Sequence, residues 1–271
     1  CIRDRYRAYQ QNGLMADVGG DEELSEIQKI EGRKAATAIP LIFLTNIYDY
    51  FTGQGKDADQ YLESAKKAGD YVLEHIVSLE HYQGGTLDNP NVVDKEAAQY
   101  AMAGLYHLYI ATREKRYLQG SIMAAKQFVT WNYIWNAPVL ENTILCEKNF
   151  KTKGCGGINS IWGGGVVDIY SLFHIGELYL IGKETEDDFM CQMADWIAKG
   201  TQQIMSYPDD TMGFTDDGMQ PEGFGICPQG VDDGQIDKGD IWGSLGWIYS
   251  AGIYGLGNYL KLKKDESLSN Y

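Results

Sequence analysis

At 271 residues the chain can bury one large core or two smaller ones, and nothing in its composition marks a linker between domains. A hydrophobic share of 44% with 12% aromatic excludes disorder, and 19 Tyr and 6 Trp against 8 Phe favour aromatics with a polar edge, which suit wet grooves as well as cores. The net charge of −15 argues against nucleic acid and anionic membrane surfaces as partners, and the absence of any run of 18 apolar residues argues against a membrane span.

Residues 1–12 read as one helix, which Gly19-Gly20 separates from the acidic stretch 21–31. A helix is expected over 33–51, kinked at Pro40 because proline removes an internal donor. After a turn at 53–56, a second helix is expected over 57–80, with apolar positions at Tyr61, Ala65, Ala68, Val72 and Ile76 at spacings of three and four. The run from Gly84 to Pro90 cannot continue a helix, and Asp94 then stands where an N-cap belongs, with Glu96 placing negative charge in the first turn. The helix that follows reaches Thr112, so at 1.5 Å per residue it is roughly 28 Å long. Ala97, Ala98, Ala101, Ala103 and Gly104 make it small on several sides, which marks an inner helix that neighbours approach closely.

Beyond Trp131, Tyr133 and Trp135 the chain spends about 25 residues on a loop that ends in the glycine-rich stretch 154–165, and a loop of this length is usually functional. A third hairpin is expected over 166–207, then an acidic, glycine-rich loop over 208–240, a helix over 242–260 and a polar tail over 263–271. Five cysteines, Cys1, Cys146, Cys155, Cys191 and Cys227, form no CxxC pair and have no histidine at metal-ligand spacing. Free thiols are expected, with a Cys146–Cys155 disulfide as the alternative.

The helix tails repeat. Tyr48, Tyr109, Tyr179 and Tyr259 occupy equivalent places, 61, 70 and 80 positions apart, and a second helix follows each of the first three. Self-similarity at this length means an array of helix pairs. Every long loop falls before a first-type helix and every short turn falls after one. That asymmetry describes an all-α, α/α-toroid arrangement in which the N-terminal ends of the inner helices frame a cleft.

The helix start Val92-Val93-Asp94-Lys95-Glu96-Ala97-Ala98, the repeated Leu-Tyr tails, the aromatic cluster at Trp131 and Trp135, and the run Gly163-Gly164-Gly165-Val166-Val167-Asp168 together resemble the six-hairpin glycosidase superfamily, the (α/α)6 toroids of many glycoside hydrolases and some polysaccharide lyases. The likeness covers nearly the whole chain, read as one domain over 1–271. A complete toroid needs six hairpins, and about three and a half plus an N-terminal helix are present. The chain is therefore expected to be an incomplete ring and the C-terminal part of a longer polypeptide. The resemblance implies an exported, extracellular or periplasmic, glycan-degrading enzyme that hydrolyses a plant or host polysaccharide or oligosaccharide with a pair of carboxylates, acting on a carbohydrate partner. The alternatives are a polysaccharide lyase of the same fold and a non-catalytic helical repeat that binds carbohydrate or protein.

Glycoside hydrolysis needs two facing carboxyl groups, one protonated and one ionised. The cleft-side acids are Asp88 and Asp94 before the second inner helix, Asp168 about one turn into the third, and Asp232, Asp233 and Asp237 before the fourth. Asp168 is the first choice because an acid flanked by Val167 and Ile169 must find a partner or a wet lumen, and Asp88, Asp94 and Asp233 are candidates for the second. Asp94 has helix capping as its structural alternative, and Asp168 has pairing with a lysine. Trp162, Trp242, Trp135 and Tyr170 offer flat faces for sugar rings, while Asn159 and Asn89 offer amides for hydroxyls. His107 and His174, expected inside inner helices, could serve a lyase, but the cleft loops carry little positive charge to neutralise a uronate. No metal ligand set and no cofactor are expected. Asp232, Asp233 and Asp237 leave Ca2+ as a minor alternative that misses the EF-hand spacing.

Overall fold

The structure, a computed structural model, describes residues 35–85, 92–139, 141–160, 165–203, 205–211, 214–226 and 246–269. By its contacts the chain divides into Cys1–Arg33 and Lys34–Tyr271, and the second of these is the helical array. The expected helix over 1–12, together with Cys1, Asp88, Asn89, Trp162, Cys227, Asp232, Asp233, Asp237 and Trp242, lies outside the described residues.

A 3-10 turn, Ala35–Ala38, opens the array and leads into helix α1, Ile39–Gly53. Pro40 sits in the first turn of α1 and not in its interior. There its missing N–H breaks no helical bond, so the expected kink gives way to a helix start. Helix α2, Asp59–Val72, returns and widens into one π turn, Leu73–Val77. The second pair is α3, Lys95–Thr112, and α4, Lys115–Val129, joined through Arg113 in the left-handed region at φ 59°. A single short turn, α5, Ile144–Glu147, interrupts the long loop. The third pair is α6, Ile175–Thr185, and α7, Asp188–Gln202, joined through Glu186 at φ 55°. The fourth first-type helix is described from α8, Gly246–Ser250, through a π segment, Ala251–Leu256, into α9, Gly257–Ser269. The stretch expected as a polar tail is thus helical as far as Ser269.

Helices α1, α3, α6 and α9 stand side by side in chain order, while α2, α4 and α7 pack along their flanks. This is the all-α hairpin array that the repeat predicts. Helix α3 is the innermost. Ala97, Ala98, Ala101, Met102, Leu105 and Leu108 on it are fully buried, and each Leu or Met contributes about 1.5–3 kcal/mol by burial. At Gly104 an added Cβ would stand 2.6 Å from the Ala38 carbonyl, so the glycine lets α1 cross α3 in close contact. The later repeated tyrosines tie the second pair to the third and the third to the fourth first-type helix. Tyr109 donates from its hydroxyl to Glu184 at 2.6 Å, and the Tyr179 and Tyr259 rings meet edge to face at 5.5 Å.

One feature departs from the helical reading. Strands β1, Gly156–Gly157, β2, Val166–Asp168, and β3, Gly223–Gly225, form a small antiparallel sheet in the order β1-β2-β3. Asp168 therefore ends a strand, not the first turn of a helix, and the third inner helix starts only at Ile175, with His174 as its N-cap residue. Cys146, Cys155 and Cys191 are free thiols, so the Cys146–Cys155 disulfide is not formed. Cys155 is buried as expected of a free thiol, whereas Cys146 is exposed.

Candidate active site

The sheet fastens three loops to the N-terminal end of α3. Lys95 N–H donates to the Ile158 carbonyl at 3.1 Å, Ser160 N–H to the Val93 carbonyl at 2.9 Å, and Ile169 N–H to the Glu222 carbonyl at 3.1 Å. The register sets Asp168 opposite Gly156 on one side and Gly223 on the other. Three separate stretches of chain thereby deliver charged side chains to one place, those around Lys95, Asp168 and Glu222.

At its centre Lys95, with no exposed surface, donates to Asp168 Oδ1, which also accepts from the Tyr170 N–H at 2.8 Å. Asp168 Oδ2 is buried with no partner among the described protein groups. Burial pushes the Asp168 carboxyl up and Lys95 works against it. Asp94 caps α3: Oδ1 accepts from Ala97 N–H at 2.6 Å and Oδ2 from Gly85 N–H at 2.9 Å. Both of its oxygens are thus occupied in holding the helix start.

Glu96, one residue past the buried lysine, accepts from the Tyr100 hydroxyl at 2.9 Å. Its carboxyl is pushed up to about 8, first by burial and then by the negative charge of Asp168, against the pull of Lys95. That direction favours the protonated form of the group. Tyr170 donates to Glu222 Oε1 at 2.9 Å. Burial raises its phenol well above the ordinary range, and Glu222, Asp168 and Glu96 all push in the same direction. Three carboxyl groups thus converge electrostatically on one hydroxyl.

Beside this cluster His174 stands between the Tyr100 and Tyr254 rings, with centroids 5.9 and 6.1 Å away. Its Nδ1 is 3.4 Å from Glu177 Oε1, the same oxygen that His107 Nε2 meets at 3.1 Å. Burial alone would raise the Glu177 carboxyl, but the two imidazoles overcome it and hold the group well below the usual carboxylate range. Among the described residues no group of three or more His, Cys, Asp or Glu side chains could hold a metal ion.

Of the residues singled out in sequence, Asp94, Asn159, Asp168 and Tyr170 come together here. Asn159 is 1% exposed and forms an isolated bridge with Asp94, so it belongs to the wall behind the carboxyl groups. Trp135 lies elsewhere, exposed beside a separate pocket. Sequence reasoning passed over Lys95 and Glu222, and it read Glu96 only as a charge suited to a helix start. A signal for Glu96 was present, since an acid followed by two alanines on an inner helix faces close neighbours.

No protein-family model matches the chain, and no curated protein matches it in sequence. In backbone it is similar to a glycoside hydrolase family 76 mannosidase from Bacteroides thetaiotaomicron VPI-5482, with TM-score 0.51 and 10% identity, over 87% of this chain and 57% of that one. The likeness shows that the helical-hairpin fold of this chain is shared with part of that mannosidase. The chain spans little more than half the length of that mannosidase, and at this identity the likeness speaks for architecture. No helix among the described residues is long and apolar enough to cross a membrane.

Proposed function

We propose that this chain hydrolyses glycosidic bonds in a neutral glycan, with Glu96 as the proton donor. The observation that carries the reading is the placement of Glu96, bonded to the Tyr100 hydroxyl, beside the Lys95–Asp168 pair at the start of an inner helix, and the upward push on its carboxyl suits a general acid, which must hold its proton at working pH. Glu96 passes that proton to the glycosidic oxygen as the bond from the anomeric carbon to that oxygen breaks. Glu222, half-buried and oriented by the Tyr170 hydroxyl, is the second carboxyl group, which deprotonates water or attacks the anomeric carbon itself. Asp168, the acid favoured from sequence, acts in this reading through Lys95 and Tyr170: its charge keeps the Glu96 proton in place and its N–H···O bond positions the phenol. Asp94 holds the helix start.

A uronate substrate is disfavoured because, among the described residues, the lysine inside the cluster, Lys95, is committed to Asp168. That supports hydrolysis over elimination. Because the structural neighbour is a mannosidase, mannose-containing oligosaccharides come first on the panel to be assayed. A polymeric substrate also favours action outside the cytoplasm.

The test is release of reducing sugar from neutral oligosaccharides by the parent chain and by Glu96→Gln, Glu222→Gln and Asp168→Asn. Glu96→Gln is expected to lower kcat about 10²–10⁴-fold and to abolish an alkaline limb near pH 8. Retention of parental kcat by Glu96→Gln on a substrate the parent cleaves would remove Glu96 from the role.

A further inference from the structure

On the flank between α4 and α7 lies a second feature that the acid cluster does not use. The end of α4, the segment after it and Phe189 at the start of α7 enclose a pocket of about 450 Å³, within the size range of small-molecule sites. Its walls include Trp131, Tyr133, Ile134, Trp135 and Phe189. Ile134 and Trp135 are more than half exposed side by side, and contiguous exposed apolar surface of this kind marks an interaction site. The Tyr133 and Trp135 rings meet at 83°, which makes a two-walled aromatic corner.

We propose that this pocket is a secondary glycan-binding site that takes one or two neutral pyranose rings. Two observations bear on the ligand. Perpendicular aromatic faces match the C–H surfaces of a sugar ring and leave its hydroxyls to water. Among the described residues no charged side chain lines the pocket, so a neutral ligand suits it better than an anionic or a cationic one. The nearby Lys153 ammonium lies over the Trp196 ring, 4.5 Å from its centroid.

The pocket is also fixed to the catalytic sheet. Gly157 N–H donates to the Trp131 carbonyl at 2.9 Å, Tyr133 N–H to the Cys155 carbonyl at 2.9 Å, and the Ser171 hydroxyl to Asn132 Oδ1 at 2.8 Å. A polysaccharide held at the flank therefore stays at high local concentration beside the carboxyl groups. This role rests on the glycan-hydrolase reading, although the binding itself can be measured without it.

The experiment is a titration of 15N-labelled Glu96→Gln protein, which leaves the sugar intact, with mannotriose, cellotriose and maltotriose, following the tryptophan indole N–H signals. Trp131→Phe assigns the Trp131 signal, and Trp135→Ala tests the platform. Saturable shifts of the Trp131 and Trp135 signals with at least one trisaccharide, weakened about tenfold or more by Trp135→Ala, are the expected result. Silence of both signals with all three sugars overturns the proposal, and if the parent chain still releases sugar the hydrolase reading survives that failure. Shifts with sugar in a chain whose parent cleaves nothing on the panel support the site and count against the hydrolase reading. Signals that move with protein concentration and not with sugar mark a contact between copies and overturn the proposal.

Discussion

Lys95 and Asp168 are two charges sealed from water against one another, and such a pair is costly to break and much less costly to replace whole. Lys95→Met leaves the Asp168 carboxylate buried with its cation gone, and a loss of about 3–5 kcal/mol is expected in urea denaturation. Lys95→Met combined with Asp168→Leu should recover most of that loss. Glu96 makes a different prediction. Its carboxyl titrates near 8 in the folded chain, against an ordinary value of 4.5. Between those pH values the folded chain binds more protons than the unfolded one, so stability falls as pH rises through that window. Glu96→Gln removes this decline. The variant should gain on the parent above pH 8 and show no such gain below pH 4.5, as read from denaturation midpoints across pH.

At the scale of elements, the start of α3 is held by Asp94, whose carboxylate accepts from two backbone N–H groups. Asp94→Ala should cost about 1 kcal/mol as a lost cap, with a further loss where Gly85 is untied. Gly104→Val forces α1 away from α3 and should cost about 1–3 kcal/mol by overpacking, seen as a lowered Tm. These helices were legible because their apolar period of 3.6 and their caps are local signals. The third inner helix was misread for an equally physical reason. Val166 and Val167 after a run of glycines fit a strand as well as a helix, and short apolar runs do not distinguish the two. Pairing with Gly157 and Phe224, neither adjacent in sequence, decides for the strand. Pro40 was placed correctly in a helix, but its position within the first turn depended on where the 3-10 segment ended.

For the helical array as a whole, Glu177 acts as a tie. It sits on α6, meets His107 from α3 and His174 from the cap of its own helix, and so joins two inner helices through a buried carboxylate. Its carboxyl is held below the usual range, so its contribution is present above ordinary carboxylate pKa values and is lost as pH falls below them. Glu177→Gln should cost about 1.5–3 kcal/mol near pH 6 and flatten the acid side of the stability profile. Glu96 slopes the other way, because its penalty grows on the alkaline side. Together they predict a stability maximum at mildly acidic pH, and self-repulsion from a net charge of −15 adds to the alkaline decline.

The repeat, the order of helix pairs, the inner character of α3 and the side on which the long loops fall were all determined by the sequence alone. Each follows from spacing along one stretch of chain, or from one stretch compared with another. Which carboxyl groups meet, and which of them keeps a proton, was decided only by tertiary structure. Glu96, Asp168, Tyr170 and Glu222 come together because a three-stranded sheet pins distant loops to one helix start. The Glu96 proton depends on desolvation and on the charge of Asp168, and both arise from residues that are far from it in sequence and become neighbours only in the folded chain.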